Sequence, residues 1–194
     1  MKHSFRLFVV AAVLAFSAAH ALADEAKGFK ADLTRQIEWA QKEIMDLENA
    51  IPDSKMTWRP NDQVRSVSEV YMHIAYANYL LLSFAGVTPP SGMSFTSEQD
   101  GAKWEKMTTN KKEVAEHLVK SFDFVKDAIK KMPDANLDNP VTAFGQKSTV
   151  RGMMLTVLSH MHEHLGQSIA YARMVGVVPP WTAAQQAAEK MKKD

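Results

Sequence analysis

His160-Met161-His162-Glu163-His164-Leu165-Gly166-Gln167 lies inside a segment that reads as one long helix, opening after Ser148 and running to about Val175. Gly176 and the pair Pro179-Pro180 are its stop signals. Residues four apart on a helix leave the same face one turn apart, so the rings of His160 and His164 can converge on one point. His162 is turned away by about 200° at 100° per residue and cannot join them. The face carrying the pair also holds Met153, Val157, Gln167 and Tyr171. Its N-terminal part is apolar, which points both imidazoles inward, where a polar ring needs a partner. A metal ion is one such partner; hydrogen bonds to neighbouring core groups are the other.

Three earlier segments carry the same periodicity, and no stretch alternates convincingly as a strand. The first runs from about Lys27 to Ala50, with Phe29, Leu33, Ile37, Ala40, Ile44, Leu47 and Ile51 as one apolar stripe ended by Pro52. The second opens at Ser66-Val67-Ser68-Glu69, a capping box in which Ser66 and Glu69 each bond the other's free backbone N–H. It continues through His73, Ile74, Ala77, Leu80, Leu81 and Phe84 to Gly86. The third starts near Asn110 and stops before Pro133. These four segments predict an all-α fold, an up-and-down four-helix bundle with long irregular loops after helices 2 and 3. The loops, Val87 to Thr109 and Pro133 to Lys147, exceed ordinary helix connections and are candidate walls of a site. The tail from Thr182 to Asp194 reads as a short, mostly polar helix.

His73 sits mid-helix on a face shared with Glu69, Tyr76 or Ala77, and Leu80. By itself it reads more readily as a satisfied core histidine than as a ligand. In an up-and-down bundle, however, helices 2 and 4 can face each other across the core. His73, His160 and His164 then form an open three-histidine site for one divalent transition metal: zinc, nickel or ferrous iron.

Composition narrows the chemistry. Residues 1–23 read as a Sec-type signal peptide: Lys2 and Arg6, an apolar run from Leu7 to Phe16, then Ala21-Leu22-Ala23 ahead of the cleavage point. The run is short of the roughly 20 residues a membrane-spanning helix needs. An uncleaved amphipathic anchor is the alternative. The expected product is a secreted or periplasmic chain starting near Asp24, one domain over 24–194, with no stable membrane anchor. It carries 21 basic and 22 acidic residues, which argues against a nucleic-acid partner; the balance leaves room for a homodimer. There is no cysteine, so thiol nucleophiles, CxxC redox pairs and cysteine-ligated zinc are excluded.

Taken in order, these elements resemble the DinB/YfiT-like family. His160 to Gln167 is similar to its H-x3-H-x-G-Q element on the last helix, and Ser66 to Ala75 to its first-ligand helix. Trp58-Arg59-Pro60 is similar to its W-x-P approach, and Gly176 to Pro180 to its ending, so the likeness spans roughly residues 28 to 181. The resemblance implies a four-helix bundle with a metal on His73, His160 and His164. It implies activity as a metal-dependent thiol S-transferase or hydrolase acting on a small molecule. Export sets this chain apart from the cytoplasmic thiols that such transferases use.

Around the three ligands, Gln167 is placed one turn beyond His164 to hydrogen-bond a ligand ring. Glu69, one turn before His73, is the weak catalytic candidate, in competition with its capping duty. Glu163 points to another face, Arg59 and Trp181 read as surface packing, and His117 reads as exposed beside Glu113, Glu116 and Lys120. No residue stands out as a general base, so a non-catalytic periplasmic protein that binds metal or a small ligand is the alternative to an enzyme.

Overall fold

The structure, a computed structural model, describes residues 27–192; the expected signal peptide at 1–23 and its cleavage point lie outside them. Four long helices dominate: α1 (Phe29–Ala50), α2 (Val67–Phe84), α4 (Lys111–Lys131) and α5 (Val150–Met174). A short helix, α3 (Glu98–Glu105), precedes α4, and α6 (Pro180–Met191) ends the chain. From Leu33 on, the α1 stripe is buried as expected, with Ile37, Ala40, Ile44, Leu47 and Ile51 fully inside. Among the described residues, no helix is long and apolar enough to cross a membrane.

α2 is the central element. Fourteen of its 18 residues are buried, and it packs against α3, α4 and α5. Its N-terminus is closed completely by local bonds, which explains why it starts where it does. Val67 N–H bonds the Trp58 carbonyl (3.0 Å) and Ser68 N–H that of Met56 (2.8 Å). Glu69 N–H bonds Ser66 Oγ (3.3 Å), and Glu69 Oε2 accepts from Ser66 N–H (2.9 Å), the reciprocal box read from the sequence. At the other end Gly86 takes a left-handed φ of 81°, and Val87 N–H turns back to the Leu82 carbonyl. α5 begins in the same manner. Thr149 caps Gly152 N–H, while Val150 and Arg151 N–H bond the carbonyls of Asn139 and Leu137.

Two expectations are corrected. The segment 87–109 is not wholly irregular: α3 forms there, its entry pinned by Asp100. That carboxylate accepts from the Ser94 and Thr96 hydroxyls and from the backbone N–H groups of Thr96 and Ser97. The eight-residue helix is too short to print a periodic stripe, and Gly101 in its middle reads as a breaker. The glycine is there for packing: a Cβ at 101 would stand 3.1 Å from the Tyr76 ring. The segment 133–147 is also ordered, and the fold is not purely helical. Strands β1 (Pro140–Ala143) and β2 (Gln146–Thr149) pair antiparallel across Phe144-Gly145, with φ of 51° and 75°. Positive φ at both positions makes a primed hairpin turn. Each strand has four residues, half of them exposed, too few to show alternation.

His117 is likewise corrected. It is half-buried, with its ring edge-on to Trp104 at 5.0 Å, and burial holds its pKa below the usual histidine value. The residue reads as exposed only if α3, which brings Trp104 over α4, is missing from the picture.

The core also hides a carboxylate. Glu48 on α1 is 2% exposed, and its Oε1 has no hydrogen-bond partner. Burial pushes its pKa up to about 7, against the pull of Lys111. The folded chain therefore keeps this proton over a range in which the unfolded chain, near 4.5, has released it. Stability should fall as pH rises from about 4.5 to about 7 and then level off. Glu48→Gln is expected to be more stable than the parent at pH 8 by on the order of 2 kcal/mol, a rise of about 5 °C in the melting midpoint. Near pH 4 the two should melt together. Equal midpoints at pH 8 would mean the carboxylate is solvated.

Candidate metal centre

Side-chain nitrogens of His73 on α2 and of His160 and His164 on α5 lie within 4.8 Å of one another. His160 Nε2 is 3.1 Å from His73 Nε2 and 3.1 Å from His164 Nε2. His164 is buried; the other two are half-buried. The packing of α2 against α5 brings together residues 87 and 91 positions apart in the chain.

Hydrogen bonds on the far side of two rings set their tautomers. His73 Nδ1 is 2.7 Å from Glu105 Oε1, and a carboxylate only accepts, so Nδ1 carries the hydrogen and Nε2 a lone pair. His164 Nδ1 is 2.8 Å from Gln167 Oε1. The orientation of that amide is set in turn: Gln167 Nε2 donates to Tyr171 Oη (3.1 Å), which donates to the Arg65 carbonyl (3.2 Å). His164 Nδ1 therefore donates as well, and its Nε2 lone pair faces the cluster. His160 Nδ1 is buried without a partner.

Two lone pairs thus point at a third nitrogen. A hydrogen on His160 Nε2 could serve one of them and leave the other facing a lone pair or nothing. One cation satisfies all three. Nitrogens bound to one ion at about 2.0–2.1 Å lie roughly 3 Å apart, which the two separations from His160 match, with all three nitrogens within 4.8 Å. The cluster could hold a metal ion. Burial and the neighbouring imidazoles hold His160 down to about 3, and burial also lowers His164, so both stay neutral and ligand-competent at ordinary pH.

Sequence reasoning missed Glu105, the last residue of α3, and Arg65. Glu105 is 7% exposed and takes a two-pronged bond from Arg65, Nε to Oε2 at 2.8 Å and Nη2 to Oε1 at 3.1 Å. Burial pushes its carboxyl up, but the hydrogen bonds from His73 and Arg65 and the adjacent guanidinium charge overcome this and hold it down to about 2. Arg65 joins the two supporting arms: its side chain steadies Glu105 behind His73, and its carbonyl anchors the Tyr171–Gln167 chain behind His164. The Ser97-x-x-Asp100 spacing of a helix start was the one signal that could have placed Glu105 on a helix.

The remaining candidates fall elsewhere. Glu69 has both oxygens engaged, one by its cap and one by Arg59 Nη2 at 2.9 Å. His162 packs on Trp39 of α1, ring centroids 5.8 Å apart, outside the cluster. Glu163 is exposed, and Trp181 is half-buried at the start of α6.

A largely helical scaffold here brings three imidazoles together in an arrangement that could hold a metal ion. The model of the DinB superfamily matches residues 36–168, and the chain belongs to that superfamily. Its fold is similar to a DinB-like protein from Bacillus cereus, with TM-score 0.63 and 19% identity over 76% of this chain and 93% of that one. It is also similar to a conserved protein from Enterococcus faecalis (TM-score 0.61, 12% identity, 77% and 98% covered). A third likeness is a DinB-like protein from Bacillus subtilis (TM-score 0.56, 18% identity, 76% and 93% covered). No curated protein matches the chain.

Proposed function

We propose that this chain is an exported metalloprotein whose four long helices form an up-and-down bundle around one zinc, nickel or iron ion on His73, His160 and His164. The same proposal makes it a metal-dependent hydrolase or thiol S-transferase for a small molecule. The observation that carries it is the convergence of three Nε2 atoms while Glu105 and Gln167 hold the opposite nitrogens of two rings. Three neutral ligands leave a divalent ion its full charge and an open position, so it would supply Lewis acidity. Glu105 positions His73, and Gln167 positions His164.

One observation favours a second reading, a binding protein without turnover. Glu105, the carboxylate bonded to the cluster, and Glu69, the catalytic candidate, have both oxygens committed to other groups. Neither is free to take a proton from a substrate.

The test is direct. Protein prepared without added metal and dialysed should carry about one transition-metal ion per chain by elemental analysis. A metal-free preparation should melt higher when zinc or nickel is added. Absence of both removes the metal centre. Hydrolysis of an activated ester or amide that needs metal and disappears in His164→Ala selects the enzyme. Metal binding with no metal-dependent turnover of esters, amides or thiol–acceptor pairs selects the binder.

A further inference from the structure

The histidine cluster opens into a cavity of about 790 Å³, inside the range of roughly 300–1,000 Å³ typical of small-ligand sites. His73, His160, Arg65 and Glu105 line its polar part. An apolar wall follows one face of α2, through Ala77 and Leu80 to Phe84, joined by Phe95 and Phe144, while Thr96, Ser97, Glu98 and Thr156 add polar groups to the lining. From residue 73 to residue 84 that face runs about 16 Å at 1.5 Å per residue. A cavity of this shape has a charged end and a long greasy one.

Two of its walls are held in place deliberately. Phe144 is 67% exposed and sits at φ 51°, a left-handed backbone region that a phenylalanine occupies only at a cost. Its ring lies against Phe84, centroids 4.8 Å apart, at the cavity wall. A glycine would suit that turn better, so the ring is kept there against the backbone's preference. Phe95 is carried by the loop that Asp100 pins, and Tyr76 Oη donates to the neighbouring Ser94 carbonyl (3.0 Å). At the polar end Arg65 and Glu105 cancel. A divalent ion on three neutral imidazoles then adds more positive charge than the one remaining lining carboxylate, exposed Glu98, can offset, and the surplus calls for a single anionic head.

We propose that this cavity takes an anionic amphiphile: one small metal-ligating head group at the histidine cluster, and an unbranched apolar tail of about eight carbons along α2 against Phe84, Phe95 and Phe144. The head-group half rests on the metal-centre reading above; the tail half rests on the cavity walls alone.

Calorimetric titration of zinc-loaded and metal-free protein with acetohydroxamate and octanohydroxamate separates the two halves. Each buried methylene contributes about fourfold in affinity, so the eight-carbon probe should bind the loaded protein at least about 100-fold more tightly than the two-carbon one. The longer probe should keep its advantage in the metal-free protein, while loading with zinc should tighten both probes. Phe144→Gly should fold at least as well as the parent, because the residue is exposed and glycine suits its φ. It should lose about tenfold for octanohydroxamate and nothing for acetohydroxamate. A length ratio near one in both states overturns the proposal, as does a ratio untouched by Phe144→Gly and Phe95→Ala together. If the ratio holds but zinc adds nothing to either probe, the metal-centre reading fails while the tail pocket stands.

Discussion

Replacing His160 or His164 by Ala is expected to abolish tight zinc binding, whereas His162→Ala should leave it nearly intact. The three residues share one helix and differ by two positions each, so composition and helix propensity are almost constant across the series. Only direction changes. His160 and His164 bring Nε2 to the shared point, 3.1 Å apart, while His162 faces α1 and lies against Trp39. Binding to a complete site of this kind carries about 10–16 kcal/mol of apparent free energy, so the loss of one ligand of three should weaken zinc by on the order of 1,000-fold. A competition titration against a chromophoric chelator reads this directly. Circular dichroism of each variant checks that the fold survives, which matters most for buried His164. Equal damage from all three substitutions would mean the site does not use this face of α5. No damage from any would remove the centre.

The second large effect is expected at a residue that cannot touch the metal. Glu105 accepts from His73 Nδ1 and holds Arg65 beside it. Removing such a partner behind a ligating histidine typically costs 10–100-fold in metal affinity, because the ring loses both its tautomer and its orientation. Glu105→Ala should fall near the upper end of that range. Glu105→Gln keeps an acceptor for His73 but loses the charge, and should lose about tenfold. Gln167→Leu, acting on His164 in the same way, should fall between them. The graded order is the informative readout. A merely structural role for Glu105 would lower the melting midpoint of the metal-free protein without separating the Gln and Ala variants in zinc affinity. Arg65→Ala should resemble Glu105→Gln, since it frees the carboxylate to move away from His73.

The parts of this protein that were legible beforehand are those in which local rules and tertiary packing agree. The Ser66–Glu69 box, the Gly86 stop, the α1 stripe and the phase of His160, His162 and His164 depend on neighbours within one or two helical turns, and each stands where local chemistry puts it. The same holds for the polar tail, which forms α6. Gln167 meets His164 because the pair is three apart on one helix.

What stayed hidden depends on contacts between distant segments. α2 carries an apolar stripe that suggests one buried face, yet most of its surface is inside because α3 and α4 cover what the stripe leaves open. α3 itself is eight residues with a glycine at its centre, and that glycine is intelligible only once Tyr76 is seen against it. Missing α3 meant missing Trp104 over His117 and Glu105 behind His73, 32 residues away in the chain. The Phe144-Gly145 hairpin escaped notice because its strands are too short to alternate. By itself, then, the sequence determined which residues could share a helical face, since that follows from the fixed 100° step of the backbone. Which faces meet was decided only in the tertiary structure, where α2 against α5 closes the three-nitrogen cluster. The packing of α3 over α2 likewise spends the carboxylate of Glu105 on orienting His73.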